Sequence, residues 1–253
     1  MLIAQLSDSH VRVSGALPLP SFDTAGALAR CIARVAGLDP PPDLVVFTGD
    51  LTQRGRPAEY ARFRNVIAPL RMPYLVIPGN HDEREAFRSA FGDLRGMPSN
   101  GPLCYVEERL GLRIVALDST EPGVSGGWLD EPRLAWLERT LAADRRPTLV
   151  MLHQAPFLAG IVPLDWFPFV GAEALRAVIE RNPHVVRVIC GHLHCVRTRR
   201  WGTTLVTSAP STSDQFVPSA GPGAGVPRIH FERAAFRLLA WDGAALRDRI
   251  VRV

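Results

Sequence analysis

The sequence contains no lysine, so all of its basic side chains other than histidine are arginines. It also lacks any run of five basic residues, and its formal net charge of +4 is small for 253 residues. A basic stripe with interleaved aromatic residues, the usual sign of nucleic-acid binding, is therefore absent, and we expect no nucleic-acid partner. Long polar or low-complexity tracts are absent too, which argues against a disordered chain.

No apolar run is long enough to span a bilayer. The first ten residues, MLIAQLSDSH, lack the charged start and the small-residue cleavage site of a signal peptide. We therefore expect a cytoplasmic protein without a membrane partner, whose four cysteines are reduced. None of them forms a CxxC pair, so Cys190 and Cys195, which flank the stretch GHLH, do not match a zinc finger. We interpret both as structural.

Short apolar runs typical of buried strands alternate with segments whose apolar residues recur at helical spacing. Strands that are buried on both faces and separated by helices are typical of layered α/β proteins. We expect a four-layer αββα sandwich that forms a single domain over 1–253, with 208–253 as a C-terminal loop and β extension. The pattern predicts helices over 23–38 (with Asp23 as N-cap), 57–70, 82–93, 130–144 and 171–182. It predicts strands over 2–8, 43–50, 73–80, 147–153 and 185–191, and a hairpin over 103–118.

Two stretches match neither pattern. One is 155–170, which is rich in proline and large apolar residues, and the other is 208–228, which is rich in serine, proline and glycine. Both follow strands that carry polar side chains at their ends, so both are candidate pocket walls. A plain connector or a subunit contact remains an alternative for 208–228, and core, pocket lid or dimer surface are alternatives for 163–169.

Histidines concentrate at the ends of the predicted strands. A single histidine at such a place would be interpreted as structural, but here five strand ends each supply a residue of a metal-ligand type. In open α/β sheets, ligands bind beyond the carboxyl ends of the strands. The histidines in question are His10, His81, His153, His192 and His194, and the same strand ends carry Asp8, Asp50, Asn80 and Asp82.

Carboxylate, amide and imidazole ligands without cysteine suit Mn, Fe, Zn or Co better than a calcium site. These ligands are too many for one ion, whereas two ions that share a carboxylate would use them fully. Ions about 3.5–4 Å apart can hold the attacking and leaving oxygens of a displacement at phosphorus. Gly49, Gly79 and Gly191 each precede one of these residues, where glycine allows a sharp turn and a close approach of backbone.

The ordered motifs DSH, GD, GNHD, H and GHLH over residues 8–194 resemble the calcineurin-like metallophosphoesterase superfamily, whose pattern is DxH, GD, GNH(D/E), H and GHxH. The stretches GDLTQRG, IPGNHD and APSTSDQF are most similar to its class III cyclic-nucleotide and glycerophosphodiester phosphodiesterases. The resemblance implies a double β-sandwich fold. It also implies hydrolysis of phosphodiesters, either cyclic nucleotides or glycerophosphodiesters, by a hydroxide bound to two divalent metal ions.

The resemblance also implies roles for individual residues. His81 would face the phosphate as a hydrogen-bond donor or general acid, and Asp82 would orient His81 or its loop, with a helix N-cap as the alternative for Asp82. Close relatives usually have HHPP at the motif of His153, where this chain has residues 153–156, HQAP, so the ligand is kept and its surroundings differ. One ion would be held by Asp8, His10, Asp50 and His194, and the other by Asp50, Asn80, His153 and His192.

Several alternatives remain at this point. The motifs alone do not separate a phosphodiesterase from a phosphomonoesterase or a nucleotide or lipid pyrophosphatase. Recombination nucleases share the motif set, although no nucleic-acid module is evident here. A non-catalytic binding scaffold would have lost metal ligands, and this chain keeps all of them. The natural substrate, the metal pair and the formation of a homo-oligomer are not determined by the motifs.

Overall fold

The protein is described by a computed structural model over residues 1–13, 23–108, 111–162, 164–217, 228–230 and 234–253. Each predicted helix is present and begins or ends within a few residues of its apolar pattern. Asp23 is the N-cap of the first helix, and its carboxylate accepts a hydrogen bond from the backbone N–H of Gly26 at 2.9 Å. The helices are α1 Thr24–Ala36, α2 Pro57–Ile67, α3 Arg84–Phe91, α4 Glu131–Ala143 and α5 Ala172–Glu180.

The strands form two large sheets and one small one. In chain order they are β1 Leu2–Leu6, β2 Leu44–Thr48, β3 Tyr74–Ile77, β4 Tyr105–Glu107, β5 Arg113–Ala116, β6 Thr148–Met151, β7 Val185–Cys190, β8 Thr198–Trp201, β9 Thr204–Ser208, β10 Gln215–Val217, β11 Arg228–His230, β12 Ala235–Trp241 and β13 Leu246–Arg252. The first sheet has the order β13-β12-β1-β2-β3, the second β4-β5-β6-β7-β9-β8, and β10 pairs with β11.

The strands that precede the polar side chains run parallel within each sheet. In the first sheet β1, β2 and β3 are parallel neighbours, and in the second sheet β5, β6 and β7 are. The predicted hairpin is the antiparallel pair β4 and β5. Parallel pairing brings the carboxyl ends of neighbouring strands to one edge of a sheet, so the polar side chains that follow them come together.

Three apolar layers hold the fold together, because successive residues of a strand point to opposite faces of its sheet. Ile3 and Val46 face the second sheet and join a core between the two sheets. Ala4 and Val45 point the other way and pack with the residues of α1, α2 and α3. A third core joins the second sheet to α4 and α5. The predicted αββα sandwich is therefore confirmed.

The C-terminal part of the chain is built into the first sheet rather than appended to it. Strand β12 pairs antiparallel with β1 and also with β13, so β1 is an internal strand. The residues of the predicted wall that fall in 218–227 lie outside the described ranges. Within those ranges, no helix combines the length and the apolar character that a membrane crossing requires.

Candidate metal centre

The seven predicted metal ligands lie together at the carboxyl ends of β1, β2, β3, β6 and β7. Several of them have the left-handed backbone conformation, which costs a residue other than glycine roughly 1–3 kcal/mol. Such strain persists where the surrounding structure requires it, and it is concentrated in functional sites. Positive φ angles, between 44° and 68°, occur at Asp8, His10, Asp50, His192 and His194.

Two glycines allow the edges of the two sheets to approach each other here. A side chain at Gly49, after β2, would overlap the imidazole of His153 from the second sheet. A side chain at Gly191, after β7, would overlap Ser7 and Asp8 from the first sheet. Ligands from both sheets can therefore meet only because these two positions lack a Cβ atom.

We call Asp8, His10 and His194 the first cluster. All three are at least nine-tenths buried. The Nε2 atoms of His10 and His194 lie 3.1 Å apart, and Nε2 of His194 lies 3.5 Å from Oδ1 of Asp8. Nε2 of His10 also lies 3.6 Å from Oδ2 of Asp50. Four ligand atoms from both sheets therefore converge on one small volume.

We call Asn80, His153 and His192 the second cluster. Nε2 of His153 lies 3.2 Å from Oδ1 of Asn80 and 3.4 Å from Oδ2 of Asp50. The rings of His153 and His192 are in contact, with their centroids 5.2 Å apart. Asp50 is thus close to both clusters, which is the position expected of a carboxylate shared by two ions.

These distances fit divalent metal ions. Two ligand atoms that each lie about 2.1 Å from one ion are roughly 3–3.5 Å from each other. The Nδ1–H of His153 donates to the backbone carbonyl of Thr48 at 2.8 Å, which leaves the lone pair of Nε2 directed at Asp50 and Asn80. Lone pairs and carboxylate oxygens that point at each other repel unless a cation or a proton lies between them. The donor set therefore suits the two ions that the sequence predicts.

Burial and neighbouring charges set the protonation of the four imidazoles in opposite directions. Burial lowers the pKa of His10 and of His192 to about 3. Burial also acts on His153 and His194, but the negative charges of Asp50 and Asp8 outweigh it and raise both pKa values to about 9. A cation bound at these rings would displace protons from them.

His81 lies beside the first cluster, with a ring nitrogen within 4.8 Å of ligand atoms of His10 and Asp50. Its backbone N–H donates to Oδ1 of Asp50 at 2.9 Å, and its Nδ1 lies 2.9 Å from the backbone oxygen of Gln53. Its ring meets the ring of His10 edge-on, with centroids 4.7 Å apart. Because Nδ1 is engaged by Gln53, Nε2 is the ring atom of His81 that remains for a ligand.

Asp82 holds the loops that carry the ligands. Its carboxylate accepts hydrogen bonds from the backbone N–H groups of Gly79, Leu51 and Thr52 and from the hydroxyl of Tyr60, at 3.0–3.2 Å. It thereby ties the turn after Asp50 to the loop that carries Asn80 and His81. The alternative interpretation of Asp82 as a helix N-cap is wrong, because Glu83 caps α3.

Sequence reasoning missed the residues that support the ligands from behind. Asp214 is the main one: its Oδ2 lies 3.1 Å from Nδ1 of His194. It belongs to the stretch APSTSDQF, which we used only as a mark of resemblance. The hydroxyl and carboxylate side chains of this stretch, which come shortly after a strand, are the only feature of it that could have suggested a role in supporting the ligands.

Gln154, the residue that departs from the pattern of close relatives, is buried behind His153. Its Oε1 accepts a hydrogen bond from the hydroxyl of Ser119 at 2.6 Å, and the Ser119 oxygen accepts one from the backbone N–H of His153 at 3.2 Å. Gln154 also lines a cleft of about 210 Å³ that reaches His192. We call it the aromatic cleft, and its other walls include Phe157, Leu164, Phe167 and Phe169.

A second cleft, of about 250 Å³, reaches Asn80 and His81. We call it the polar cleft, because its walls carry charged side chains of both signs: Arg54, Asp82, Glu83, Arg84 and Glu121. The guanidinium of Arg84 is held by Asp118 at 3.1 Å, whereas Arg54 is exposed. The two clefts share no lining residue, and each reaches a predicted ligand: His192 in the aromatic cleft and Asn80 in the polar cleft.

The fold and the clustered ligands define a dimetal phosphoesterase, and comparison with known proteins agrees. Residues 1–196 match the family model for calcineurin-like phosphoesterases, and the chain belongs to this family. A probable glycerophosphodiester phosphodiesterase of Arcobacter nitrofigilis is 37% identical over 217 residues, which are 85% of this chain and 80% of the relative. A 3′,5′-cyclic AMP phosphodiesterase of Escherichia coli K12 is 35% identical over 217 residues, 85% of this chain and 78% of the relative.

Solved structures show the same fold at low sequence identity. A dimetal phosphatase of Danio rerio has a TM-score of 0.64 at 14% identity, over 100% of this chain and 98% of its own. A purple acid phosphatase of yellow lupin has a TM-score of 0.68 at 15% identity, over 99% of this chain and 51% of its own. The predicted family, the fold and the class of enzyme, a metal-dependent phosphodiesterase, are thus confirmed.

Proposed function

We propose that the protein hydrolyses phosphodiesters at a centre of two divalent ions, with one ion bound by each cluster and Asp50 shared between them. The first ion has the ligands Asp8, His10, Asp50 and His194, and the second Asp50, Asn80, His153 and His192. The convergence of Asp50 with both clusters supports this division. Mn, Fe, Zn and Co all suit the ligand set.

Bound ions would supply Lewis-acid stabilisation of the phosphoryl oxygens and would lower the pKa of a water molecule, so that a nucleophile exists at neutral pH. The chain contributes the geometry. The two sheets hold the ligand atoms in place, and the strained backbone at five ligands leaves little freedom to rearrange. The reaction therefore begins from a preorganised site.

His81 is the residue that we assign to substrate rather than to metal. Its Nδ1–H donates to the backbone oxygen of Gln53, so it is as an imidazolium that the ring donates through Nε2 to a phosphoryl oxygen or protonates the leaving group. His81 also lines the polar cleft. The ester arm that occupies this cleft is then the one that receives the proton from His81.

The two clefts are the observation that favours a diester over a monoester. A diester carries two organic arms, and the centre opens into two separate spaces, one at Asn80 and His81 and the other at His192. We propose an acyclic diester as substrate, with a polar alcohol such as glycerol in the polar cleft. The similarity to glycerophosphodiester phosphodiesterases supports this choice.

A cyclic nucleotide is the second candidate substrate. The aromatic cleft offers the rings of Phe157, Phe167 and Phe169, against which a base can pack. Relatives named as 3′,5′-cyclic AMP phosphodiesterases are 34% and 35% identical to this chain. Both arms of a cyclic diester belong to one ring, however, so it would not fill two separate clefts.

The test compares kcat/KM of the Mn²⁺-loaded enzyme for bis-p-nitrophenyl phosphate, p-nitrophenyl phosphate, 3′,5′-cAMP, 2′,3′-cAMP and glycerophosphodiesters. We expect diesters to exceed the monoester and glycerophosphodiesters to exceed both cyclic nucleotides. A preference for the monoester would overturn the diester assignment, and a preference for 3′,5′-cAMP would select the second candidate. Undiminished turnover after EDTA treatment would overturn the metal mechanism.

The location and the assembly of the protein remain predictions. For the predicted homo-oligomer, the side chains of Leu158 and Trp166 are relevant because they are 68% and 70% exposed on the stretch that we interpreted as a pocket wall or dimer surface. Sedimentation of the purified protein tests this prediction. Fractionation of the native cell tests the predicted cytoplasmic location.

A further inference from the structure

Residues 211–216, directly after the loop that follows β9, lie behind the first cluster. We call this segment the brace. The hydroxyl of Ser211 donates to the backbone oxygen of Asp8 at 2.8 Å, and the backbone N–H of Thr212 donates to the backbone oxygen of Ser7 at 3.0 Å. The brace therefore fixes the backbone of Asp8, a residue of the first cluster that lies 203 positions before Ser211 in the sequence.

The same segment fixes a second ligand, His194. Oδ2 of Asp214 lies 3.1 Å from Nδ1 of His194. The ring of Phe216 stacks on the imidazole, with centroids 4.6 Å apart and planes 15° from parallel. The backbone N–H of Phe216 also donates to the backbone oxygen of His194 at 3.0 Å. His194 is thus held at its ring nitrogen, its ring face and its backbone.

Asp214 is itself held in place by hydrogen bonds, unlike a flexible carboxylate on the surface. The hydroxyl of Ser213 donates to its Oδ1 at 2.7 Å, and its backbone N–H donates to the oxygen of Ser211 at 3.2 Å. Only 17% of its side chain is exposed. The carboxylate is therefore held in an orientation that faces His194.

The second cluster has no comparable support within the described residues. The Nδ1–H of His153 donates to a neutral acceptor, the backbone carbonyl of Thr48. The carboxylate grouped with the ring of His192 is the ligand Asp50 itself. Among the described residues, the contact between a carboxylate and the Nδ1 atom of a histidine ligand is thus found in the first cluster, between Asp214 and His194.

We propose that Asp214 is a positioning residue that strengthens metal binding at the first cluster. It fixes the Nδ1–H tautomer of His194, so that Nε2 carries the lone pair, and it makes this ligand more basic. Partners of this kind contribute about 10–100-fold to metal affinity. The inference rests on the proposed function, because it takes the first cluster to be one of two metal sites.

The test is calorimetric titration of metal-free protein with Mn²⁺, so its readout does not depend on turnover. The variants are Asp214→Asn, which keeps the shape and an acceptor but removes the charge, and Asp214→Ala, which removes both. Asp242→Asn is the control, because that carboxylate likewise has two hydrogen-bond donors, the backbone N–H groups of Ala244 and Ala245, but lies beside the start of β1, at the opposite end of the strand from Asp8.

We expect the first cluster to be the tighter site, because Asp8 gives it a second carboxylate. Its Kd should rise about 10–100-fold in Asp214→Asn and at least as much in Asp214→Ala, while the Kd of the second cluster changes less than about threefold. An unchanged tighter site, an equal shift of both sites, or the same shift in Asp242→Asn would overturn the inference. Thermal melting of the metal-free variants identifies unfolding. Ser213→Ala, which keeps the Asp214 carboxylate but removes a hydroxyl that contacts it and the backbone oxygen of Asp8, then serves as a milder variant. A wild type that binds no Mn²⁺ would instead overturn the proposed function.

Discussion

The two clusters of the candidate metal centre differ in one ligand and in what lies behind the ligands. Each offers two imidazoles and has access to the carboxylate of Asp50. The first adds the carboxylate of Asp8 and is supported by Asp214, whereas the second adds the neutral amide of Asn80. Less negative charge means weaker attraction for a dication, and burial enlarges the difference because the effective dielectric constant is lower. The clusters should therefore bind metal with unequal strength.

The largest effect is expected from the residue that both clusters share. Asp50→Ala removes the carboxylate between them and the acceptor of the His81 backbone N–H. Both ions should be lost or bound far more weakly, and kcat/KM should fall by more than the roughly 100-fold that the loss of an outer contact can cause. Mn²⁺ content after gel filtration and turnover of bis-p-nitrophenyl phosphate measure this. Two retained ions would show that Asp50 is not the shared ligand.

His81 separates catalysis from metal binding, because we assign it to neither cluster. His81→Ala should keep both ions and lower kcat by about 10²–10⁴-fold, the usual contribution of a proton donor. Gln53→Ala is the matched control: it removes a side-chain contact to Nδ1 at 3.2 Å but keeps the backbone oxygen that engages the ring, so its effect should be smaller. Loss of an ion in His81→Ala would make His81 a ligand.

Asn80→Ala tests the inequality of the clusters directly. It removes the amide ligand, which has no counterpart in the first cluster. The second cluster, which is the weaker site, should therefore be emptied, and the first should be left nearly intact. In the wild type, the weaker site should fill later in a Mn²⁺ titration and should tighten when a phosphate analogue adds negative charge. Two equally tight sites in the wild type, or two sites still filled in Asn80→Ala, contradict this expectation.

The sequence predicted the part of the structure that depends on local pattern. Helical spacing, apolar strands and polar residues at the strand ends are short-range features, and the layers and the grouping of the ligands follow from them. The brace was not predicted, because it reaches Asp8 only through the parallel pairing of β9 with β7 and the position of β1 between β12 and β2. The support of two ligand loops by Asp82 likewise depends on tertiary contacts that spacing does not reveal.

The smallest effect is expected at Cys195, which directly follows His194, a predicted metal ligand. Its side chain is 9% exposed and belongs to the apolar core between the second sheet and its helices. Burial raises the pKa of its thiol to about 11, and none of the candidate metal-binding groups among the described residues includes Cys195. Cys195→Ala should bind Mn²⁺ at both clusters as the wild type does and should lower the free energy of unfolding by about 1 kcal/mol. Urea unfolding and calorimetry measure the two quantities. A changed affinity with unchanged stability would mean that the thiol contributes to the metal centre, and the distinction between the histidines and their flanking cysteines would then be wrong.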